Sequence, residues 1–280
     1  MNALIVLIVL FAEIVFRVEV LPRDFGWFRR GNDWLWRRFG GGRDEHTFAF
    51  VALGGALIAA LLIAAWLRWL PGIFELPLSL AVVYLCCGPV NPLLALDRYC
   101  EALVERDEAA AEAAAEDLRI TGDSALLDPE RIARWYARQA HDTLFAILVL
   151  TFVLGPFGAM AGRIALLDRD PETMPDDRTR NVARRLADVL LYVPARIYAL
   201  FVALAGSFSE AFEAWQARDD FTLEATHRIV PETTLAAARW GAFEDGVVGD
   251  DQLVWLRAVR ALVTRASAIL GALAVVGMVV

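Results

Sequence analysis

The chain has 280 residues, of which 58% are hydrophobic and 22% are charged, and its formal net charge is −8 at neutral pH. The hydrophobic share exceeds the roughly 45–50% of soluble domains, and the acidic balance argues against nucleic acid as a partner. All 27 basic residues are arginine, which excludes a phosphate-binding loop lysine and a Schiff-base lysine.

Six apolar segments predict an all-α fold that crosses a lipid bilayer. Four of them are each about as long and as apolar as a membrane-spanning helix must be, and they cover 48–67, 76–96, 144–167 and 186–206. Two shorter runs, 2–16 and 266–280, can cross a bilayer if tilt or thinning makes up the length. The first lacks a basic start and a small-residue cleavage site, so we expect an uncleaved anchor. The prediction is one membrane domain over 1–280, a polytopic transmembrane bundle of four long and two short terminal spans with helical cytoplasmic loops.

Three of the four long segments are interrupted by proline and by polar residues. Proline removes a backbone donor and clashes with the preceding turn, so we expect a kink in each segment. Two interpretations are open: ordinary kinks in a packed bundle, or broken helices that meet around a polar cavity. A transporter would also use broken helices, although the two halves of the chain show no inverted repeat.

The arginine distribution predicts the orientation. If all six segments cross, the loops 17–47, 97–143 and 207–265 share one side and carry 19 arginines, whereas 68–75 and 168–185 carry six. Because cytoplasmic loops are enriched in basic residues, the side with 19 arginines is predicted to face the cytoplasm. The expected location is the inner membrane of a bacterium, with both chain ends facing outward.

The loop 97–143 is predicted to be an acidic helical loop. Residues 101–118 are rich in strong helix formers, and a second helix is predicted to begin at Pro129, with Asp128 as its N-cap. Such a helical hairpin either covers the cytoplasmic end of the bundle or docks a protein partner.

The loop 207–265 is predicted to contain amphipathic helices separated by turns at Pro231 and at 246–251. Phe208, Phe212 and Trp215 recur at helical spacing, so these helices have an apolar face. That face suits either the cytoplasmic end of the bundle or the lipid headgroups.

Polar residues at membrane depth are the candidate ligand-binding residues. Charged and amide groups are costly in hydrocarbon, so we expect them to face the bundle interior. The three histidines are far apart and the three cysteines lack the C-x-x-C spacing, so neither a metal site nor a catalytic site is predicted. The candidates are Asn91, Asp97, His141, Asp142, Arg163 and Arg196.

These candidates are expected to form two groups. Asp97, His141 and Asp142 should lie together at the cytoplasmic mouth, where one span ends and the next begins. Arg163 and Arg196 should approach the opposite side from adjacent spans. Two close guanidiniums would bind an anionic ligand such as a lipid headgroup, a nucleotide or a muropeptide, unless Asp188 on the same span neutralises them.

Three short motifs carry a resemblance to a known family. RDEAA stands at 106–110, LGPFGAMAGR at 154–163 and YVPARIYAL at 192–200. In this order and spacing they resemble the AmpE branch of the CobD/CbiB superfamily of bacterial inner-membrane proteins. The resemblance implies a sensory or regulatory membrane protein that modulates β-lactamase induction or cell-wall recycling signalling, by binding a ligand or a protein partner. It identifies no cofactor.

The other branch of the superfamily provides the alternative function. Its members are nucleotide- and magnesium-dependent amide ligases that make adenosylcobinamide phosphate, and they carry an E-N-x-x-D-G segment just before the G-P-x-G motif. At that place this chain reads ARQAHDTL over 137–144, with one carboxylate. A magnesium site of the ligase type needs more carboxylates than that, so the non-catalytic regulator is the expected function.

Overall fold

The structure is a computed structural model that describes residues 1–16, 30–31, 34, 38, 45–88, 91–117, 129–168, 177–218, 221–223, 225–238 and 250–279. Over these residues it is helical and contains no strand, which confirms the all-α prediction. The helices are α1 (Asn2–Phe11), α2 (Glu45–Trp69), α3 (Gly72–Cys86), α4 (Pro92–Glu105), α5 (Glu108–Asp117), α6 (Pro129–Ala140), α7 (Ala146–Leu154), α8 (Pro156–Asp168), α9 (Asp177–Ala205), α10 (Phe208–Arg218), α11 (Thr226–Ala238) and α12 (Asp250–Val279).

Two π-helical segments extend this helical framework. Ala12–Phe16 continues α1, and His141–Phe145 joins α6 to α7 without a break. A π turn inserts an extra residue into the helical ladder and is common at functional sites.

Within the described ranges, three helices are long and apolar enough to cross a membrane, namely Glu130–Leu154, Arg184–Ala205 and Leu253–Met278. The shorter apolar helices are Asn2–Ile14, Leu53–Trp69, Gly72–Cys86 and Pro156–Leu167. This confirms a chain with membrane-spanning capacity. The prediction of a short C-terminal span was wrong, because 266–280 continues the helix that begins at Asp250.

The prediction of one kinked span over 144–167 was also wrong, because the chain reverses at Gly155. Gly155 has a φ of +67°, which side chains rarely adopt, and Pro156 then begins α8. A Cβ atom at Gly158 would overlap the carbonyl oxygen of Leu150, and one at Gly162 would lie 2.6 Å from Leu150 Cδ1. The two glycines therefore let α8 pack antiparallel against α7, as small residues do between membrane helices.

The predicted span 76–96 ends early, at Cys86. Gly88 has a φ of +94°, and Asn91 then caps the start of α4. Other prolines do not interrupt the chain: Pro194 lies inside α9 and Pro231 lies inside α11. The predicted turn at Pro231 was therefore wrong, and the break falls instead between α10 and α11.

The loops predicted to be cytoplasmic contain the predicted helices with different bounds. The single helix expected over 101–118 is divided at Arg106, whose φ is +56°, and Asp107 caps α5 through a 3.0 Å hydrogen bond from the Ala110 N–H. The helix predicted at Pro129 begins there. Its predicted cap, Asp128, lies outside the described residues, as does most of the predicted turn at 246–251.

One end of the bundle, which we call the terminal end, holds both ends of the described chain. A cavity of about 630 Å³ is lined there by Met1, Arg68, Glu75, Gly155 and Gly277 among others. From this end α1 and α12 run antiparallel, and a Cβ atom at Gly271 would lie 2.9 Å from Leu10 Cδ2. Away from the terminal end, α4, α6 and α12 pack around three fully buried aromatic side chains, Tyr99, Tyr136 and Trp255.

Candidate functional site

A buried contact joins the N-terminal helix to the start of α4. The Asn91 side-chain amide donates to Glu13 Oε2 at 2.8 Å and to the Glu13 carbonyl oxygen at 3.0 Å. Its own oxygen accepts from the N–H groups of Leu93 and Leu94, at 3.0 and 3.4 Å. Asn91 thus caps α4 and holds Glu13, which is only 2% exposed.

Arg163 lies beside the same turn. A Cβ atom at Gly88 would be 2.9 Å from Thr143 Cβ and 3.6 Å from a terminal nitrogen of Arg163. Gly88 therefore leaves room for Thr143, and the guanidinium lies at ordinary contact distance beside them. Arg163 is 7% exposed and lies seven residues past Pro156, about 10 Å along α8.

His141 and Asp142 stand on the π turn next to Thr143. His141 Nδ1 lies 2.7 Å from Asp142 Oδ1, and the ring is buried. The opposite side of the ring contacts aromatic side chains: the centroid of Tyr198 is 5.4 Å away and that of Phe145 is 6.4 Å away. We call Glu13, Asn91, His141, Asp142, Thr143 and Arg163 the polar centre.

The expected grouping of candidates is therefore partly wrong. Arg163 was placed at the opposite side from His141 and Asp142, but the reversal at Gly155 brings it back to the level of Thr143. The physical reason is that a glycine with positive φ followed by a proline can turn the chain fully around when the facing helix leaves room for it.

Asp97 forms a separate ion pair with α12. Arg260 contacts both carboxylate oxygens, from Nε at 2.5 Å and from a terminal nitrogen at 2.7 Å. This two-point geometry is the strong form of an arginine–carboxylate pair. Nearby, burial raises the pKa of the Cys100 thiol to about 11, partly offset by Arg257, so the thiol is protonated at neutral pH.

Arg196 is held mainly by its own helix. Its guanidinium lies 3.5 Å from the centroid of the Tyr192 ring and donates to the Tyr192 carbonyl oxygen at 3.1 Å. Asp188, considered above as a neutralising partner for the arginines, lies instead 2.5 Å from His227 Nε2. Its carboxylate thus ties α9 to the start of α11.

Sequence reasoning missed the partners in these contacts. Glu13, Arg260 and His227 each complete a pair with a residue far away in sequence. Glu13 carried a usable signal, because it is the only charge in the apolar run 2–16. The other two stand in polar stretches where many charges are equally plausible partners.

The carboxylates proposed for the cytoplasmic mouth, Asp97 and Asp142, each have a basic or imidazole partner. Across the described ranges, no group of three or more histidine, cysteine, aspartate or glutamate side chains is placed to hold a metal ion. No family model, curated protein or solved structure matched this chain.

Proposed function

We propose that this chain is a multi-pass protein of the bacterial inner membrane with a regulatory role of the AmpE kind, and that the polar centre is the part of it that responds to a ligand or partner. The observation that carries the proposal is that Glu13, Asn91, His141 and Arg163 are each buried in an otherwise apolar bundle. Asn91 contacts Glu13, and Arg163 lies near Gly88 and Thr143. Ionisable groups at membrane depth are costly and are typical of functional sites. The motif resemblance described above supplies the biological setting.

The proposed topology has the terminal end outside the cell. Because α8 returns from Gly155, its last residues lie towards the same side as the start of α6, and we therefore assign 168–185 to the side of 97–143. Its five arginines then join the other 19, which leaves Arg68 alone on the opposite side. So strong an asymmetry supports a cytoplasmic location for the arginine-rich side.

Although Arg184–Ala205 is long and apolar enough to cross a membrane, the proposed topology has this part of α9 lie across the bundle. Asp188, the twelfth residue of α9, contacts His227, whose carbonyl oxygen accepts from Arg138 at 2.9 Å. Past its end, a Cβ atom at Gly206 would lie 2.8 Å from Leu262 Cδ1. Arg138 lies 14 residues before Phe152, and Leu262 lies 15 residues before Gly277. Phe152 and Gly277 are both at the terminal end, so these separations place Arg138 and Leu262 about 21–22 Å from that end along their helices.

The part of α9 from Asp188 to its end therefore lies at a similar depth throughout, far from the terminal end. The proposed crossings are α1, α2, α3, the continuous helix of α6 and α7, α8, and α12. This makes six crossings, the number predicted from the sequence, but from different segments.

Cysteine labelling in intact cells tests the topology. With the three native cysteines replaced by alanine, Thr173→Cys should react with a membrane-impermeant maleimide only after the inner membrane is permeabilised. Gly72→Cys, at the first residue of α3 near the terminal end, should react without permeabilisation. Labelling of Thr173→Cys in intact spheroplasts would restore the original prediction for 168–185.

A genetic experiment tests the regulatory role. In a host with inducible β-lactamase that lacks this protein, the wild-type gene should change the induction ratio after β-lactam treatment. Arg163→Gln, produced at the wild-type level in the membrane, should remove that change, and Arg163→Lys should retain part of it because it keeps the charge.

The matched control is Arg218→Gln, which makes the same charge change at an exposed position on α10. It should behave as the wild type. Wild-type induction with Arg163→Gln would contradict the assigned role of the polar centre. Formation of an amide product by the purified protein from a corrinoid, aminopropanol phosphate, nucleotide and magnesium would replace the regulatory proposal with the ligase alternative.

A further inference from the structure

The cavity at the terminal end lies outside the polar centre, and we call it the terminal cavity. Its volume of about 630 Å³ falls within the range of small-molecule sites, roughly 300–1,000 Å³. Most of its lining residues are apolar, and they include Leu61 of α2 and Phe152 of α7. Arg68, Glu75 and Ser79 add polar groups to this lining. An apolar pocket with a few polar side chains is typical of a ligand site, because the polar groups orient what the apolar walls bury.

Ser79 gives an independent sign that the terminal cavity takes a ligand. Its side chain is 1% exposed, and its hydroxyl oxygen has no hydrogen-bond partner among the described residues. Helical hydroxyls elsewhere in the bundle donate to the carbonyl oxygen four residues earlier, as Thr143, Thr151, Thr233 and Thr234 do. A buried polar group without a partner is costly, so an occupant of the cavity that bonds to the Ser79 hydroxyl is favoured.

The polar groups of the lining follow an order along the terminal cavity. Arg68 and Glu75 stand close to the short turn at 70–71, where α2 ends and α3 begins. Ser79 lies four residues further along α3, about 6 Å deeper. Leu61 lies seven residues before Arg68, about 10 Å deeper along α2. From the turn inward, the lining therefore changes from charged groups to a hydroxyl and then to hydrocarbon.

The same turn carries the side chains of a membrane–water interface. Trp66, Trp69 and Phe74 flank it, and each is more than half exposed. Tryptophan is enriched at the level of the lipid headgroups, where one part of its ring system is apolar and another is wet. The charged mouth of the terminal cavity is therefore expected at headgroup level, with its apolar part at the level of the acyl chains.

We infer that the terminal cavity binds a phospholipid with an ethanolamine headgroup. The guanidinium of Arg68 binds the phosphate, and the carboxylate of Glu75 accepts from the ammonium group. Ser79 donates to an ester oxygen, and an acyl chain lies against Leu61 and Phe152. A purely anionic headgroup would bring negative charge to Glu75, and a choline headgroup has no N–H donor for it. The inference goes beyond the proposed regulatory role, because it requires neither the polar centre nor the assigned orientation.

Native mass spectrometry of the full-length protein in detergent micelles tests the inference. Phosphatidylethanolamine, phosphatidylglycerol and phosphatidylcholine with identical acyl chains are titrated separately. The ethanolamine lipid should bind saturably as a single adduct, with a Kd at least about fivefold lower than those of the other two lipids. Free phosphoethanolamine should not displace it, because the headgroup alone buries no acyl chain.

Ser79→Ala is the decisive variant. It should weaken binding of the ethanolamine lipid by about fivefold or more, because it removes the hydrogen bond to the ligand. It should leave the midpoint of thermal unfolding of the lipid-free protein unchanged or higher, since the hydroxyl has no protein partner to lose. A purely structural role of Ser79 would lower that midpoint instead. The matched control is Ser209→Ala, at an exposed position of α10, which should alter neither quantity.

Two charge variants separate the parts of the headgroup. Arg68→Gln should weaken binding of all three lipids by about tenfold, because each has a phosphate. Glu75→Gln should remove the preference for ethanolamine. The matched controls are Arg218→Gln and Glu210→Gln, exposed on α10, and each should change affinity by less than about twofold.

Equal affinities for the three lipids, as expected of a cavity that holds only water, would overturn the inference. Wild-type affinity in Ser79→Ala, equal effects of the charge variants and their controls, or displacement of the lipid by phosphoethanolamine would do the same. None of these measurements involves β-lactamase induction, so the lipid site and the regulatory role can fail separately.

Discussion

The polar centre and the region between α6 and α11 both gather charged side chains between helices, but they do so in opposite ways. In the polar centre the groups are buried and contact one another, as Asn91 does with Glu13 and His141 does with Asp142. In the arginine cavity, the space between α6 and α11 that is lined by Arg131, Arg134, Arg138 and Arg228, the guanidiniums are half-buried or exposed. A buried polar group must be compensated by the protein itself, whereas water and salt screen charges at the surface.

The comparison separates buried from screened charge. Removing a group from the polar centre should reduce the free energy of unfolding, because its buried partner loses a hydrogen bond that water cannot replace. Removing an arginine from the arginine cavity should barely alter the free energy of unfolding. Three substitutions test this contrast, in order of decreasing expected effect.

Gly158→Ala should have the largest effect, because the polar centre depends on the hairpin of α7 and α8. The added methyl group would overlap the carbonyl oxygen of Leu150, so the two helices must separate. We expect a loss of about 3 kcal/mol in the free energy of unfolding. Denaturant titration in detergent micelles measures it. Gly55→Ala is the control, since no heavy atom lies within 4 Å of a Cβ atom there, and it should change stability by less than about 1 kcal/mol.

Asn91→Ala should have an intermediate effect. It removes the N-cap of α4 and a hydrogen-bond donor to Glu13, for an expected loss of about 2 kcal/mol. The comparison variant is Asp107→Ala, which removes the exposed N-cap of α5 and should cost about 1 kcal/mol or less. Equal losses in the two variants, measured in the same titration, would mean that the buried contact with Glu13 adds nothing.

Arg134→Gln should have the smallest effect on stability. Its ion pairs with Glu130 and Glu232 are partly exposed, with side-chain exposures of 38%, 42% and 24% for Arg134, Glu130 and Glu232. Water and salt screen such pairs, so the loss should be below about 1 kcal/mol and should shrink further at high salt. A loss of more than about 2 kcal/mol in the free energy of unfolding, independent of salt, would mean that this arginine behaves like the buried pairs of the polar centre. That result would contradict the proposed difference between the two regions.

Much of the architecture could be predicted from particular residues. The apolar run 48–67 was predicted as a helix and lies within α2, and Pro129 was predicted as a helix start and begins α6. Four of the candidate residues belong to the polar centre, namely Asn91, His141, Asp142 and Arg163, although the predicted position of Arg163 was wrong. The arginine cavity was not predicted, because its lining comes from two helices that are about 90 residues apart and whose contact no local pattern indicates.

Local sequence was enough to predict a helical chain rich in segments able to cross a bilayer, because helix propensity and the length of an apolar run are local properties. That Gly155 reverses the chain whereas Pro194 does not break it depends on tertiary packing. A helix breaker permits several geometries, and packing against the facing helix selects one of them. Here Leu150 packs against Gly158 and Gly162, where the absence of side chains lets the two backbones approach each other. The placement of Arg163 beside Thr143 follows from that close approach.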